Sequence, residues 1–400
     1  MSPWPMKNLG DVCQVVGGGT PSISIARYYE GQIPWATVRD LRSDIVTETE
    51  RSITEEAVRN SAANIIPSGN VVIATRVGLG KVCIIKQDTA INQDLRGIIP
   101  NDPTKISTRF LYYWFKRVAH LIVGEGTGAT VQGVKVPFIK ALQLPIPPFS
   151  EQQRIVTILN IAFEGIDTAK ANAEKNLQNA YEVFESERES KLSGNKSGWR
   201  SAPLSELCSI KHGFAFQGEH FRSEGRYVLL TPGNFIEAGG YRDRGEKQKY
   251  YIGEVPDGFI LSKGDLLIAM TEQAAGLLGS PILVPASDRF LHNQRLGLVN
   301  GNPGVPWCNE FFFHVFNTKG LRAAVHASGS GVKVRHTSPS KIGDVIVSYP
   351  TKVATQLEIA EAIQALQDEC DKLASNYSQK LEALDELKQS LLHRAFNGDL

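Results

Sequence analysis

The sequence predicts an α+β protein made of two tandem copies of one plan, a globular domain followed by a long helix, with the two long helices paired. Three observations carry this prediction. Residues 150–192 and 355–396 superpose without a gap: Gln152 falls on Gln356, Ile155 on Ile359, Leu159 on Ile363, Ile166 on Cys370 and Leu177 on Leu381. Both stretches carry apolar residues in steps of three and four, the spacing of a coiled-coil seam. Landmarks in the globular parts also recur, with Trp4, Leu9, Cys13 and Gly18 returning as Trp199, Leu204, Cys208 and Gly213, and Asn92-Gln93 as Asn293-Gln294. The segments are therefore 1–149, 150–195, 196–352 and 353–400.

In the first globular part, Val71–Ala74 and Val82–Ile85 are short apolar runs between Gly, Pro and Asp, which predicts strands. Ser107–His120 predicts an aromatic-rich helix capped by Ser107. Ile146-Pro147-Pro148-Phe149 breaks the chain before a long helix with Ser150 as its expected N-cap. Its seam runs Ile155, Leu159, Ala162, Ile166, Ala169, Ala173, Asn176, Ala180, Val183 and then drifts. Residues 193–203, rich in Gly, Ser, Lys and Pro, form a joint. In the second copy Leu266–Ala269 and Pro281–Val284 are the strand-like runs, and Pro306–Asn317 is a helix with Asn309 as a cap. Its long helix carries Ile359, Ile363, Leu366, Cys370, Leu373, Tyr377, Lys380, Leu384, Leu387 and Leu391. Asn176 and Lys380 fall at the same step, where one polar residue can fix register. At 1.5 Å per residue each helix is roughly 60 Å long, too long to bury its stripe inside one small domain. Two separate amphipathic helices are the alternative.

The net charge is +1, but its sign is segregated. Residues 150–192 hold 8 acidic against 5 basic residues and residues 355–396 hold 8 against 4, so the globular parts carry the positive excess. That is the distribution of a nucleic-acid binder whose globular parts touch phosphate, although ordinary surface variation produces it as well. Cys13, Cys83, Cys208, Cys308 and Cys370 form no CxxC pair, which argues against a disulfide framework or a structural zinc site. The sequence shows neither a leader-like apolar region nor a run long enough to span a membrane, so a cytoplasmic protein is expected.

Catalytic motifs are missing. Gly78-Leu79-Gly80-Lys81 is too short for a phosphate loop, and Gly17-Gly18-Gly19-Thr20 is replaced by Lys211-His212-Gly213-Phe214 in the second copy. The 8 histidines form no metal-binding spacing, and no nucleophile elbow is present. What remains is polar and basic loop content. Thr20, Arg39, Arg76, Lys81, Gln93, Arg96, Gln132 and Lys135 stand out in the first copy. Asn234, Arg242, Arg244, Gln273, Gln294, Arg295, Lys333, Arg335 and His336 do so in the second. Such residues neutralise phosphates and match base edges, Arg on guanine and Gln or Asn on adenine; solvated loops are the alternative reading of each.

The stretch Leu144-Pro145-Ile146-Pro147-Pro148-Phe149-Ser150-Glu151-Gln152-Gln153-Arg154-Ile155-Val156 and the turns at 126–128 and 329–331 resemble the specificity subunits of type I restriction–modification enzymes. The opening Trp4…Leu9 and the closing Leu391…Ala395-Phe396-x-Gly398-x-Leu400 fit as well. The second copy departs from the pattern, reading Ser348-Tyr349-Pro350-Thr351 with a single proline. The resemblance implies two target recognition domains separated by an antiparallel coiled coil with pseudo-twofold duplication. It implies a bipartite double-stranded DNA site, docked methyltransferase and restriction subunits, and no cofactor in this chain. S-adenosylmethionine, ATP and Mg²⁺ belong to the partners, which methylate adenine N6 and cleave. A coiled-coil adaptor without a DNA role is the alternative.

Overall fold

The computed structural model describes residues 3–127, 133–194, 197–272, 276–331 and 334–400. It mixes strands and helices in two compact units, one of residues 1–175 with 377–400 and the other of residues 176–376. The two long helices, Phe149–Leu192 and Val353–Asn397, each give one part to either unit. Among the described residues no helix is long and apolar enough to cross a membrane.

The first unit is organised by a five-stranded sheet in the order 13–17, 95–100, 71–74, 82–85, 45–46. Its pairs are antiparallel except the last. The Val71–Ala74 and Val82–Ile85 runs are strands as expected, every residue buried, because both faces of the sheet are covered. A smaller sheet (51–53, 33–36, 89–91, 64–66) stands beside it. The aromatic helix Thr108–Gly124 lies in the core with its cap as predicted, Ser107 Oγ accepting from Phe110 N–H. Phe110, Tyr113 and Trp114 pack there with Ile155, Leu159, Phe163 and Ile166 of the first long helix and with Leu392, Ala395 and Phe396 of the second.

The second unit repeats the plan. Its sheet runs 208–212, 296–301, 266–269, 281–283, all antiparallel. A small sheet joins 221–222, 250–251, 227–229 and 290–291. The helix here is Asn309–Phe316, followed by a second, Lys319–Ser328, that Thr318 caps. Cys308, not Asn309, occupies the N-cap position; Asn309 is the first helical residue, and its side chain bonds Trp307 Nε1 and Gly264 O instead. Phe184, Leu192, Ala360, Ile363 and Cys370 supply the long helices' share of this core.

In each unit an antiparallel ribbon ties the beginning of the globular part to its end: Met6–Asn8 pairs with Gln143–Pro145, and Trp199–Pro203 with Ile346–Pro350. The 193–203 joint is therefore a strand over its second half, stabilised by pairing that its local composition does not announce. The first long helix starts at Phe149, which places Ser150 inside its first turn. Gln152 and Gln356, superposed in the repeat, are both fully buried clasps. Gln152 Nε2 donates to Lys105 O (2.8 Å) and Pro147 O (3.0 Å), and Gln356 Nε2 to Pro306 O (3.0 Å) and Pro350 O (2.8 Å).

The long helices pair antiparallel. In the first unit Lys170 meets Asp385 at 2.7 Å, Asp167 meets Lys388, and Arg154 Nη2 donates to Leu400 O (2.6 Å). In the second, Cys370 Sγ lies 3.6 Å from Ala180 O. Ile155, Leu159, Ile166 and Ile363 are buried seam residues; Ile359, Leu366, Tyr377 and Leu384 are half-buried, and Leu373 and Leu387 stay 45% exposed at its edge. Asn176 and Lys380 are not in the seam: both are exposed, and their neighbours Leu177 and Leu381 turn inward. The reason is helical drift. An α-helix turns every 3.6 residues, so a 3.5-residue ladder slips with length. After Ala173 the covered face moves to Leu177, Ala180, Phe184, Arg188 and Leu192, leaving Val183 exposed.

Candidate nucleic-acid interface

In each unit the same three segments converge: the end of a central strand, the turn after a short strand, and the stretch preceding the ribbon. In the first unit Thr75 N–H donates to Asp94 O (2.9 Å), and Val134 N–H to Thr75 O (2.8 Å). In the second, Met270 N–H donates to Arg295 O (3.0 Å), and Thr337 N–H to Met270 O (3.0 Å). A buried asparagine holds each turn. Asn92 (5% exposed) accepts Asp94 N–H at 3.1 Å through Oδ1, and Asn293 (9% exposed) accepts Arg295 N–H at 3.0 Å in the same way.

The recurring Gly18 and Gly213 complete the frame. A Cβ at either would sit 2.2 Å from the carbonyl oxygen of Ile91 or Asn293, so only glycine lets the chain pass against the turn. These glycines serve a backbone crossing, not a phosphate cradle.

The frame displays different groups in the two units. In the first, Thr20 hydroxyl bonds Gln93 Oε1. Asp94 takes Asn92 Nδ2–H at 3.1 Å and faces Arg76 Nη1 at 3.6 Å. Arg96 folds back, its Nη1 donating to Gln93 O (2.9 Å) and Leu95 O (2.6 Å); burial first, and then neighbouring Arg76, lowers its pKa. Arg39 is exposed beside a cavity of about 340 Å³ that Trp35, Asp40, Arg51 and Asp94 also line. Asp40 braces that loop, accepting from Thr37 N–H and Glu50 N–H at 2.7 Å each. The structure thus gathers Thr20, Arg39, Arg76, Gln93 and Arg96 around one turn. Lys81 lines a different recess, with Asp44 and Lys116. Lys135 is exposed at the start of the short helix Val136–Ala141.

In the second unit Gln294 and Arg295 are exposed, and their side chains have no hydrogen-bond or ion-pair partner among the described residues. Behind them Glu272, 1% exposed, accepts from Gly276 N–H (3.0 Å) and Leu278 N–H (2.9 Å) and pairs with Arg335 Nη1 at 3.1 Å. Arg335 also donates to His326 O, so its guanidinium is committed to the fold. His336 is exposed on the strand that pairs with Thr271–Glu272.

Asn234 is a correction. It is fully buried, its Oδ1 accepting from Thr231 N–H (3.0 Å) and its Nδ2 donating to Gln248 Oε1 (2.9 Å), which leaves nothing to offer a ligand. Arg242 is turned back onto Gly233 O at 3.0 Å. Gln132, Gln273 and Lys333 lie outside the described residues. Sequence reasoning passed over Asp94 and Glu272, because it looked for cations and amides. The signal was available: each follows a landmark of the repeat, Asn92-Gln93 in one case and the 266–269 strand in the other. Among the described residues no cluster of three or more potential metal ligands occurs.

Residues 1–178 match the family model for the type I restriction modification DNA specificity domain. That match covers the first globular part and the beginning of the first long helix, less than half of the chain. Two similar relatives are the type I restriction enzyme MjaIX specificity subunit of Methanocaldococcus jannaschii, 34% identical over 45% of this chain and 43% of the relative, and the EcoR124I/EcoR124II specificity subunit of Escherichia coli, 34% identical over 38% and 39%. These alignments span less than half the length of either relative. Two solved structures share the fold of this chain. One comes from a study of complex assembly and conformational transition of the type I R-M system (TM-score 0.79, 16% identity, 99% of this chain and 98% of that one). The other is the HsdS subunit of Thermoanaerobacter tengcongensis (TM-score 0.62, 16% identity, 100% and 98%).

Proposed function

We propose that this chain is the non-catalytic, sequence-reading subunit of a type I restriction–modification complex, with each unit contacting one half of a bipartite, asymmetric site in double-stranded DNA. The observation that carries this reading is the duplicated frame: one backbone arrangement, held by Asn92 or Asn293, displays Gln93 beside a paired Arg76–Asp94 in one unit and free Gln294 and Arg295 in the other. Amide and guanidinium groups match the donor and acceptor patterns of adenine and guanine in the major groove. A common frame with unlike groups suits two unlike half-sites. The long helices dock two methyltransferase subunits, and restriction subunits join them; exposed Ile161, Val183 and Leu357 supply apolar surface for that contact. S-adenosylmethionine, ATP and Mg²⁺ act in those partners, and the assembly works in the cytoplasm.

The test is co-expression with a type I methyltransferase subunit from the same genome, followed by sequencing of the host DNA for modified adenines. A bipartite motif that disappears when this chain is omitted supports the reading. A soluble complex that produces no new methylation refutes it and favours an adaptor role.

A further inference from the structure

We propose that Arg295 sets the second unit's half-site by donating paired hydrogen bonds to O6 and N7 of a guanine in the major groove, an assignment that rests on the DNA-reading role above. Three observations single it out. Its backbone is pinned on both sides, N–H to Asn293 Oδ1 at 3.0 Å and carbonyl oxygen from Met270 N–H at 3.0 Å. The turn beneath is closed by Leu296 N–H to Asn293 O (2.9 Å) and backed by His292, fully buried with Nε2 3.0 Å from Leu296 O. Yet the guanidinium itself is exposed and has no partner among the described residues.

Among the described residues, two other arginines of this unit that the sequence singles out are already committed. Arg335 is tied to Glu272 and His326 O, and Arg242 to Gly233 O. In the first unit the corresponding position is Asp94, 18% exposed and already occupied by Asn92 Nδ2 and Arg76. The frame therefore offers a new hydrogen-bonding fork at this position in one unit only. A planar fork on a rigid base loses little freedom on binding, which is what a bidentate base contact requires. A phosphate contact could use the same fork, and the assay below separates the two.

The assay uses the full chain in complex with its methyltransferase subunit. The wild-type motif is read first from modified host adenines. Short duplexes then carry that motif with every base substituted in turn, and binding is compared for wild type, Arg295→Ala and Arg295→Lys. Arg295 is exposed, so both variants are expected to match the wild type in thermal melting. The expected result is a single guanine position in one half-site at which Arg295→Ala binds roughly 5- to 150-fold more weakly and no longer distinguishes the four bases. The other half-site stays as selective as before, and Arg295→Lys keeps part of the guanine preference. Equal weakening on every duplex, with a salt dependence reduced by about one counterion, would make Arg295 a phosphate contact and overturn the assignment. An unchanged motif overturns it as well. A wild-type complex with no sequence preference refutes the DNA-reading role itself, a separate and recognisable outcome.

Discussion

Replacing Gln152 by leucine should cost clearly more than replacing Gln356, although the two occupy the same place in the repeat. Gln152 is fully buried and makes three hydrogen bonds: Oε1 accepts Ser107 N–H at 2.9 Å, and Nε2 donates to Lys105 O and Pro147 O. Leucine there orphans the half-buried Ser107 N–H at the start of the aromatic helix and strips a donor from two carbonyls. Gln356 donates to Pro306 O and Pro350 O, but its own Oε1 is buried with no partner among the described residues. Leucine there loses two bonds while removing an oxygen that already carried a desolvation penalty. An orphaned buried polar group costs about 1–3 kcal/mol, so the Gln152→Leu loss should exceed the Gln356→Leu loss by about that amount. Amide hydrogen exchange reads the two places separately, from peptides covering 105–115 and 306–316, and avoids assuming that two units unfold as one. Losses equal within about 0.5 kcal/mol, or a larger one at Gln356, would refute the reasoning.

Acidification should destabilise the second unit selectively. Burial is the main force pushing His292 and His314 down to about 4 from the ordinary 6.5 of histidine, with Arg188 adding to the effect at His314. Between those values the unfolded chain takes up protons that the folded unit refuses, so stability is whole above pH 6.5 and falls as pH drops towards 4. Two such groups amount to about 4 kcal/mol at pH 5, measured as a shift in denaturation midpoint. A His292→Phe/His314→Phe chain that loses as much between pH 7 and 5 as wild type would contradict this. Along the paired helices, Lys170→Asp should weaken the first unit by no more than about 1 kcal/mol, since Asp385 opposite is well exposed. Adding Asp385→Lys should recover most of that loss in a double-mutant cycle; no recovery would mean the ion pair contributes nothing to the seam.

The parts of the fold legible in the sequence were those where burial on both sides leaves a continuous apolar run, as at Val71–Ala74 and Leu266–Ala269, or where a cap and a periodic face agree, as at Ser107. The duplication was legible because the long helices cannot tolerate insertions without losing phase. Two-residue strands such as Ile45–Val46 and Arg335–His336 exist through partners distant in the chain, and no local pattern marks them. Asn309 is a good capping residue by type, yet the helix begins one position earlier, with Cys308 as its cap. The seam followed the covered face up to Ala173 and met it again at Ala180, but it missed Leu177, Phe184 and Arg188, which fall between the steps of a fixed ladder. Around the two turns, residue type singled out Gln93, Arg76 and Arg295, which the fold places on or beside corresponding turns. It misjudged Asn234, because an amide that closes a loop and an amide that reads a base are the same letter.

The terminal ribbons have an evolutionary consequence. Because Met6–Asn8 is zipped to Gln143–Pro145, and Trp199–Pro203 to Ile346–Pro350, the chain leaves each globular part where it came in. Everything between is topologically a cassette hung from a closed clasp. Loops within it can lengthen, shorten or be exchanged by recombination without moving the point from which the following helix departs. Selection can therefore rewrite what a cassette displays while the junction on which the helix depends stays the same.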